Sequence, residues 1–181
     1  MQAYRLIPHP AFLPSSVSAV EARVGLDDPN WLHLRWRIEG AGTLVMPRIT
    51  GKGRADGLWQ TTCFELFLRH EGGESYHEWN LSPSRQWNAY GFTRYRAGMQ
   101  PLEIAVAPDC VMRPGSKFAI FDAFIARSQL PGMHCAMGLS AVIEEASGSK
   151  SYWALAHPQR DAPDFHDPAC FAASLPAPRN P

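Results

Sequence analysis

The chain has 181 residues, 45% of them hydrophobic, enough for one well-packed core and short for two ordinary domains. Seventeen basic residues balance seventeen acidic ones, so no bulk field draws the protein to phosphate backbones or anionic lipid, and neither nucleic acid nor a membrane is an expected partner. No apolar run approaches the ~20 residues of a membrane helix or resembles a secretory leader, and Cys63, Cys110, Cys135 and Cys170 lack metal-site spacing, so the expectation is a cytoplasmic protein without a metal centre.

Sixteen prolines and fourteen glycines divide the chain into short segments, the spacing of an all-β fold. In chain order the expected strands are 18–25, 31–39, 43–47, 61–69, 75–81, 87–95, 102–107, 118–126, 135–143 and 151–157. Ten strands imply two packed sheets, an antiparallel β-sandwich forming a single domain over 1–175 with a frayed tail at 176–181. The clearest alternation runs through Leu32, Leu34, Trp36 and Ile38 on one face and His33, Arg35 and Arg37 on the other, which predicts a half-buried strand. Phe118 to Ala126 is apolar on both faces apart from Asp122, which needs a partner if buried. Turn chemistry recurs at 71–74, 113–116 and 130–133.

The hairpin of 61–69 and 75–81 carries the candidate chemistry. Depending on how tightly 71–74 turns, Glu65 lies opposite Asn80 or opposite Glu78. Either register puts Cys63, Glu65, Phe67, Glu78, Asn80 and Ser82 on one face and Phe64, Leu66, Leu68, His77, Trp79 and Leu81 on the other. The second set is the core face, so Trp79 is expected to be packing. The first set crowds two carboxyls with a carboxamide, which calls for an offset: a basic side chain such as Arg94 or Arg96, a bound cation, or a carboxyl that keeps its proton. A solvated face with an ordinary ion-pair network is the competing reading. The short turn at 81–84 leaves open which of Trp87, Tyr90, Phe92 and Tyr95 share the Glu65 face.

Trp59, then Glu65 after five intervening residues, Asn80 at a strand end, and the closing stretches SYWALAHP at 151–158 and DFHDPACF at 164–171 together resemble the family 9 carbohydrate-binding modules and the related DOMON domains, most closely a branch of stand-alone bacterial proteins. The resemblance implies a jelly-roll sandwich that binds sugars or haem. In the sugar-binding members two tryptophans clamp a sugar while charged and amide groups hold its hydroxyls. By position Trp59 and Glu65 match one wall, Trp153 matches the second, and Asn80 and Arg94 complete the set. Where the family carries an acidic residue before the Glu strand this chain has Thr61-Thr62, which removes the ground for a metal site.

Three other classes compete. A haem-binding DOMON module would use methionine and histidine ligands, with Met99 in place after the aromatic strand, but the chain has no CxxCH attachment motif. An interaction module would present Trp87, Tyr90, Tyr95 and Arg96 to a protein or to a second copy of the chain, as a homo-oligomer. A glycoside hydrolase would use Glu65 and Glu78 as its two carboxyls, at a spacing suited to retention. Ser140 lacks the strand-turn-helix context of a hydrolase nucleophile, and Gly51 to Arg54 resembles a phosphate loop in composition alone. The expectation is a non-enzymatic domain that needs no cofactor and binds a small polar ligand, a saccharide or sugar derivative, through Trp59, Glu65, Asn80, Arg94 and Trp153.

Overall fold

The Leu32 to Ile38 alternation becomes a strand that is buried at every second residue, over the expected Trp31–Glu39. A computed structural model describes residues 1–177, and within them the chain is nearly all β. The strands are β1 Gln2–Pro8, β2 Ala19–Gly25, β3 Trp31–Glu39, β4 Gly53–Arg54, β5 Cys63–His70, β6 Tyr76–Leu81, β7 Gln86–Phe92, β8 Gln100–Pro101, β9 Asp109–Arg113, β10 Phe118–Ala126, β11 Cys135–Glu144, β12 Lys150–Ala154 and β13 Ala173–Leu175. Among the described residues helix is confined to single 3-10 turns, and no helix is long and apolar enough to cross a membrane.

Two separate sheets were expected, but the strands follow one path, β4-β7-β6-β5-β11-β12-β1-β2-β3-β10-β9, with β13 beside β11 and β8 beside β7. All pairs are antiparallel except β4 with β7. The reason lies in β1: Gln2 to Leu6 pair with β2, whereas Ile7 and Pro8 pair with β12. One strand serves both halves, so the sheet curls into a half-barrel instead of splitting in two, and its path ends at β4 and β9. The halves close on one core, in which Leu34, Trp36 and Phe121 from one side meet Phe64, Leu66, Trp79 and Leu139 from the other. The Phe64 ring stacks on Phe121 at 4.3 Å and lies 5.3 Å from Trp36.

Asp122 is buried and answered by three side chains: His33 and Arg35, each at 2.7 Å, and Arg113. Burial pushes its carboxyl up, but the hydrogen bonds from Arg35 and His33 outweigh that and hold it below the usual range.

Several boundaries move for local reasons. Strand 43–47 does not form: Ala41–Thr43 is a 3-10 turn and Leu44 makes a single bridge to Glu145. The buried Glu145 carboxylate instead ties this loop to the one before it, accepting from Ser15 N at 2.7 Å, Ser16 N at 2.6 Å, Val17 N at 3.2 Å and Thr43 Oγ1 at 3.1 Å. Strand 102–107 is likewise absent; pairing there is limited to β8, and β9 forms beyond it. β7 stops at Phe92 because Thr93 N bonds the Ala97 carbonyl in a tight turn with Arg96 and Gly98 at positive φ. β1 left little signal in the sequence because only Leu6 along it is deeply buried. β13, at three residues, is too short for a periodic one. Of the expected tail at 176–181, residues 178–181 lie outside the described residues.

Gly40 adopts φ 73°, and a Cβ there would run into the Ser16 carbonyl. Gly40→Ala is expected to cost about 2 kcal/mol or more, read as a lower urea midpoint at unchanged slope. An unmoved midpoint would show that the Ser16 loop gives way freely.

Candidate functional site

β5 and β6 pair in the looser of the two registers, Glu65 opposite Asn80 and Phe67 opposite Glu78. The two faces separate as the alternation predicts: Phe64, Leu66, Leu68, Trp79 and Leu81 enter the core, and Glu65, Glu78 and Asn80 point away from it. That outer face is neither open nor solvated. Glu65, Glu78 and Asn80 are 3%, 7% and 2% exposed, because a second, smaller apolar cluster of Phe67, Tyr76, Phe92, Phe165 and Phe171 covers the sheet beside them. The covering comes from the segment 161–171, which folds back over the hairpin.

The result is a cavity of about 860 Å³. Glu65, Glu78 and Asn80 line its floor; Trp59, Tyr90, Phe92, Tyr152 and Phe165 supply aromatic surface; Asp56, Arg96, Met99 and His166 also line it. Trp59 sits in the single 3-10 turn Leu58–Gln60, entered through Gly57 at φ 68°. Leu58 is buried and anchors that turn, while Trp59 stays 54% exposed. β7 pairs with β6 so that Tyr90 lies opposite Glu78 and Asn88 opposite Asn80. This settles the strand left open by the sequence: Tyr90 and Phe92 share the Glu65 face, and Trp87 joins the core.

Of the expected residues, Trp59, Glu65 and Asn80 come together at the cavity. Trp153 does not. It is 3% exposed, packs in the main core and donates from Nε1 to Ser151 Oγ at 2.9 Å, so it has no face for a ligand, and its neighbour Tyr152 takes the wall instead. Arg94 is also displaced: it lies exposed in the turn after β7, bridged to Ala97, and the arginine at the cavity is Arg96. The Trp87 strand is not an open aromatic patch either, since Trp87 is buried against Trp79 under the Arg54 guanidinium. His166, Tyr152 and Phe165 escaped the sequence reading because nothing local ties the closing segment to the hairpin. The resemblance of 164–171 to the end of a sugar-binding fold was the available signal.

The floor is electrostatically unusual. Glu65 Oε2 accepts from Ser140 Oγ at 2.9 Å, and Glu78 Oε1 accepts from Asn80 Nδ2 at 2.7 Å. Burial first and the nearby Glu78 second push the Glu65 carboxyl up to about 8, and burial raises Glu78 as well. Glu65 is therefore largely protonated at neutral pH and offers an O–H donor alongside its acceptor oxygens. On the rim, Tyr76 Oη accepts from Arg96 N at 3.2 Å and lies 2.8 Å from His166 Nδ1. The other ring nitrogen of His166, Nε2, lies 3.7 Å from Glu78 Oε2. Burial and then the Arg96 charge hold His166 down at about 4, so it is neutral at ordinary pH. Asp164 fastens the rim, taking Arg96 Nη2 at 2.8 Å, Arg160 Nη1 at 2.9 Å and the Tyr95 hydroxyl. Among the described residues no group of His, Cys, Asp and Glu is arranged to hold a metal ion.

No family model matches the sequence, and no curated protein does. Solved structures do match the fold. A "putative carbohydrate-binding protein" from Bacteroides uniformis superposes with a TM-score of 0.69 at 16% identity, over 97% of this chain and 85% of that one. A family 9 carbohydrate-binding module from Caldicellulosiruptor kristjanssonii, in complex with glucose, superposes at 0.57 with 9% identity over 94% of this chain and 82% of that one. A family 9 module from the same organism, in complex with cellotriose, gives 0.57 with 10% identity over 97% of this chain and 83% of that one. The chain is similar in fold to family 9 carbohydrate-binding modules. At these identities the likeness covers the backbone architecture alone.

Proposed function

We propose that the chain is a non-catalytic binding domain for a small polar ligand, a saccharide or sugar derivative, built on a sandwich of the jelly-roll kind. One observation carries the reading: hydrogen-bonding groups buried at Glu65, Glu78 and Asn80 and the aromatic surface of Trp59, Tyr90 and Tyr152 line the same cavity. A sugar ring needs that pairing, because its C–H face stacks on an aromatic ring while its hydroxyls need both donors and acceptors. Solved neighbours that hold glucose and cellotriose support the choice of ligand class.

Titration calorimetry with glucose and cellotriose tests it directly. Trp59→Ala is expected to weaken binding by about 1–3 kcal/mol without lowering the melting temperature, because the indole is half exposed. Loss of the fold instead would assign Trp59 to the core, and unchanged affinity would remove it from the site. Steady release of free sugar from aryl glycosides, lost on replacing either glutamate, would move the reading to the hydrolase class.

Met99 and His166 both line the cavity, as a haem reading would ask. The surroundings do not fit haem: His166 Nδ1 is engaged by Tyr76 and its Nε2 faces Glu78, and an acidic floor repels haem propionates.

A further inference from the structure

The cavity floor carries more acid than its surroundings neutralise. Glu65 and Glu78 are each more than nine-tenths buried, diagonal neighbours on adjacent strands and within reach of one another. Each is held by a neutral donor, Ser140 or Asn80, and among the described residues Glu65 Oε1 has no hydrogen-bond partner. The nearby cations are committed elsewhere. Arg96 and Arg160 both bind Asp164, and Arg160 also binds Asp167 at 2.7 Å, so two arginines are matched by two aspartates. Arg96 offsets Glu78 only in part. His166 is neutral, and burial raises the Cys63 thiol behind the pair and the Tyr76 and Tyr90 phenols beside it, so these stay neutral too. Asp56, on the rim with Tyr90, is matched by the Arg54 guanidinium, held beside it on Asn88, and so leaves the excess at the Glu65–Glu78 pair. A neutral sugar leaves this imbalance in place. An ammonium group resolves it, and the aromatic faces of Trp59, Tyr90 and Tyr152 attract a cation through their ring quadrupoles.

We propose that the cavity takes a ligand bearing a protonated amine, with amino sugars as its chemical class, the ammonium seated between Glu65 and Glu78 and the sugar ring against the aromatic wall. The sugar part rests on the saccharide reading above; the ammonium seat does not. On binding, the proton shared by the acidic pair leaves its carboxyl oxygen for the buffer, and ammonium–carboxylate hydrogen bonds form in its place.

Calorimetric titrations with glucosamine, glucose, N-acetylglucosamine and cyclohexylamine, each in phosphate and in HEPES, test this. Glucosamine is expected to bind about tenfold or more tighter than glucose or N-acetylglucosamine, to release up to about one proton, and to tighten as pH rises from acid toward neutrality, because displacing the pair's proton costs less there. Glu65→Gln and Glu78→Gln, with melting curves to show that each folds, are expected to bring the glucosamine-to-glucose ratio close to one. Glucose binding as tightly as glucosamine overturns the ammonium seat and leaves the saccharide reading standing. Cyclohexylamine binding without any sugar overturns the saccharide reading and keeps the seat. Calcium chloride giving the same tightening and proton release would assign the pair to a metal and overturn the proposal.

Discussion

Glu65→Gln is expected to stabilise the unliganded protein by about 2–3 kcal/mol at pH 7 while weakening ligand binding. In the folded chain the Glu65 carboxyl is raised from 4.5 to about 8 by burial and by Glu78. The unfolded chain ionises it at the ordinary value, so between about pH 4.5 and about pH 8 the unfolded state has lost a proton that the folded state still binds. Stability contributed by this group is therefore full at acid pH and falls as pH rises through that window, by up to about 1.4 kcal/mol per unit. Contact with the open cavity discounts that slope. Glutamine keeps the shape and the acceptor for Ser140 Oγ, 2.9 Å away, and has no proton to lose. Urea unfolding at about pH 5, 7 and 9 reads the effect: the variant and the parent should converge at acid pH and separate as pH rises. A variant less stable than the parent at alkaline pH would show that the carboxylate is satisfied in the fold. The gain in stability matched by a loss in binding is the pattern expected where a fold tolerates unfavourable groups for a ligand's sake.

Phe64→Ala is expected to cost about 3–5 kcal/mol, a large share of the 5–15 kcal/mol that holds a typical domain. Phe64 is fully buried on β5 and reaches across the fold to stack on Phe121 of β10 at 4.3 Å, with Trp36 of β3 at 5.3 Å. It therefore joins the two halves of the curled sheet at a place where no backbone pairing does. Its removal leaves a cavity between rigid sheet faces, and such faces collapse poorly. Circular dichroism during urea unfolding should show the midpoint falling at unchanged slope. A slope that also fell would mean the halves unfold separately, which the single core argues against.

These two residues are sequence neighbours on opposite faces of one strand, and the contrast between them was legible before any coordinates. Glu65 alternates with Phe64 and Leu66, Asn80 with Trp79 and Leu81, and that parity alone placed the acids together and away from the main core. β3 and β10 were delimited to the residue for the same reason: a polar and apolar contrast at period two, or an apolar run bounded by turns.

Where the contrast vanished, the reading failed. Tyr152 and Trp153 are both large and aromatic, so alternation could not say which faced inward. The curl of the sheet at β1, which brings β12 between β1 and β11, decided it in favour of Trp153. Arg94 and Arg96 share a face by parity, and only the turn that ends β7 selects Arg96 for the cavity.

The sequence by itself determined an all-β chain, the strand order of its central hairpin and the common face of Glu65, Glu78 and Asn80, because period-two alternation is a local property written into consecutive residues. Only the tertiary structure decided that this face is roofed. Phe165 and His166 lie some hundred residues beyond Glu65 in the chain, and their approach depends on the joint packing of every strand between. Burial, and with it the raised carboxyls and the cavity they floor, is a property of the assembled fold.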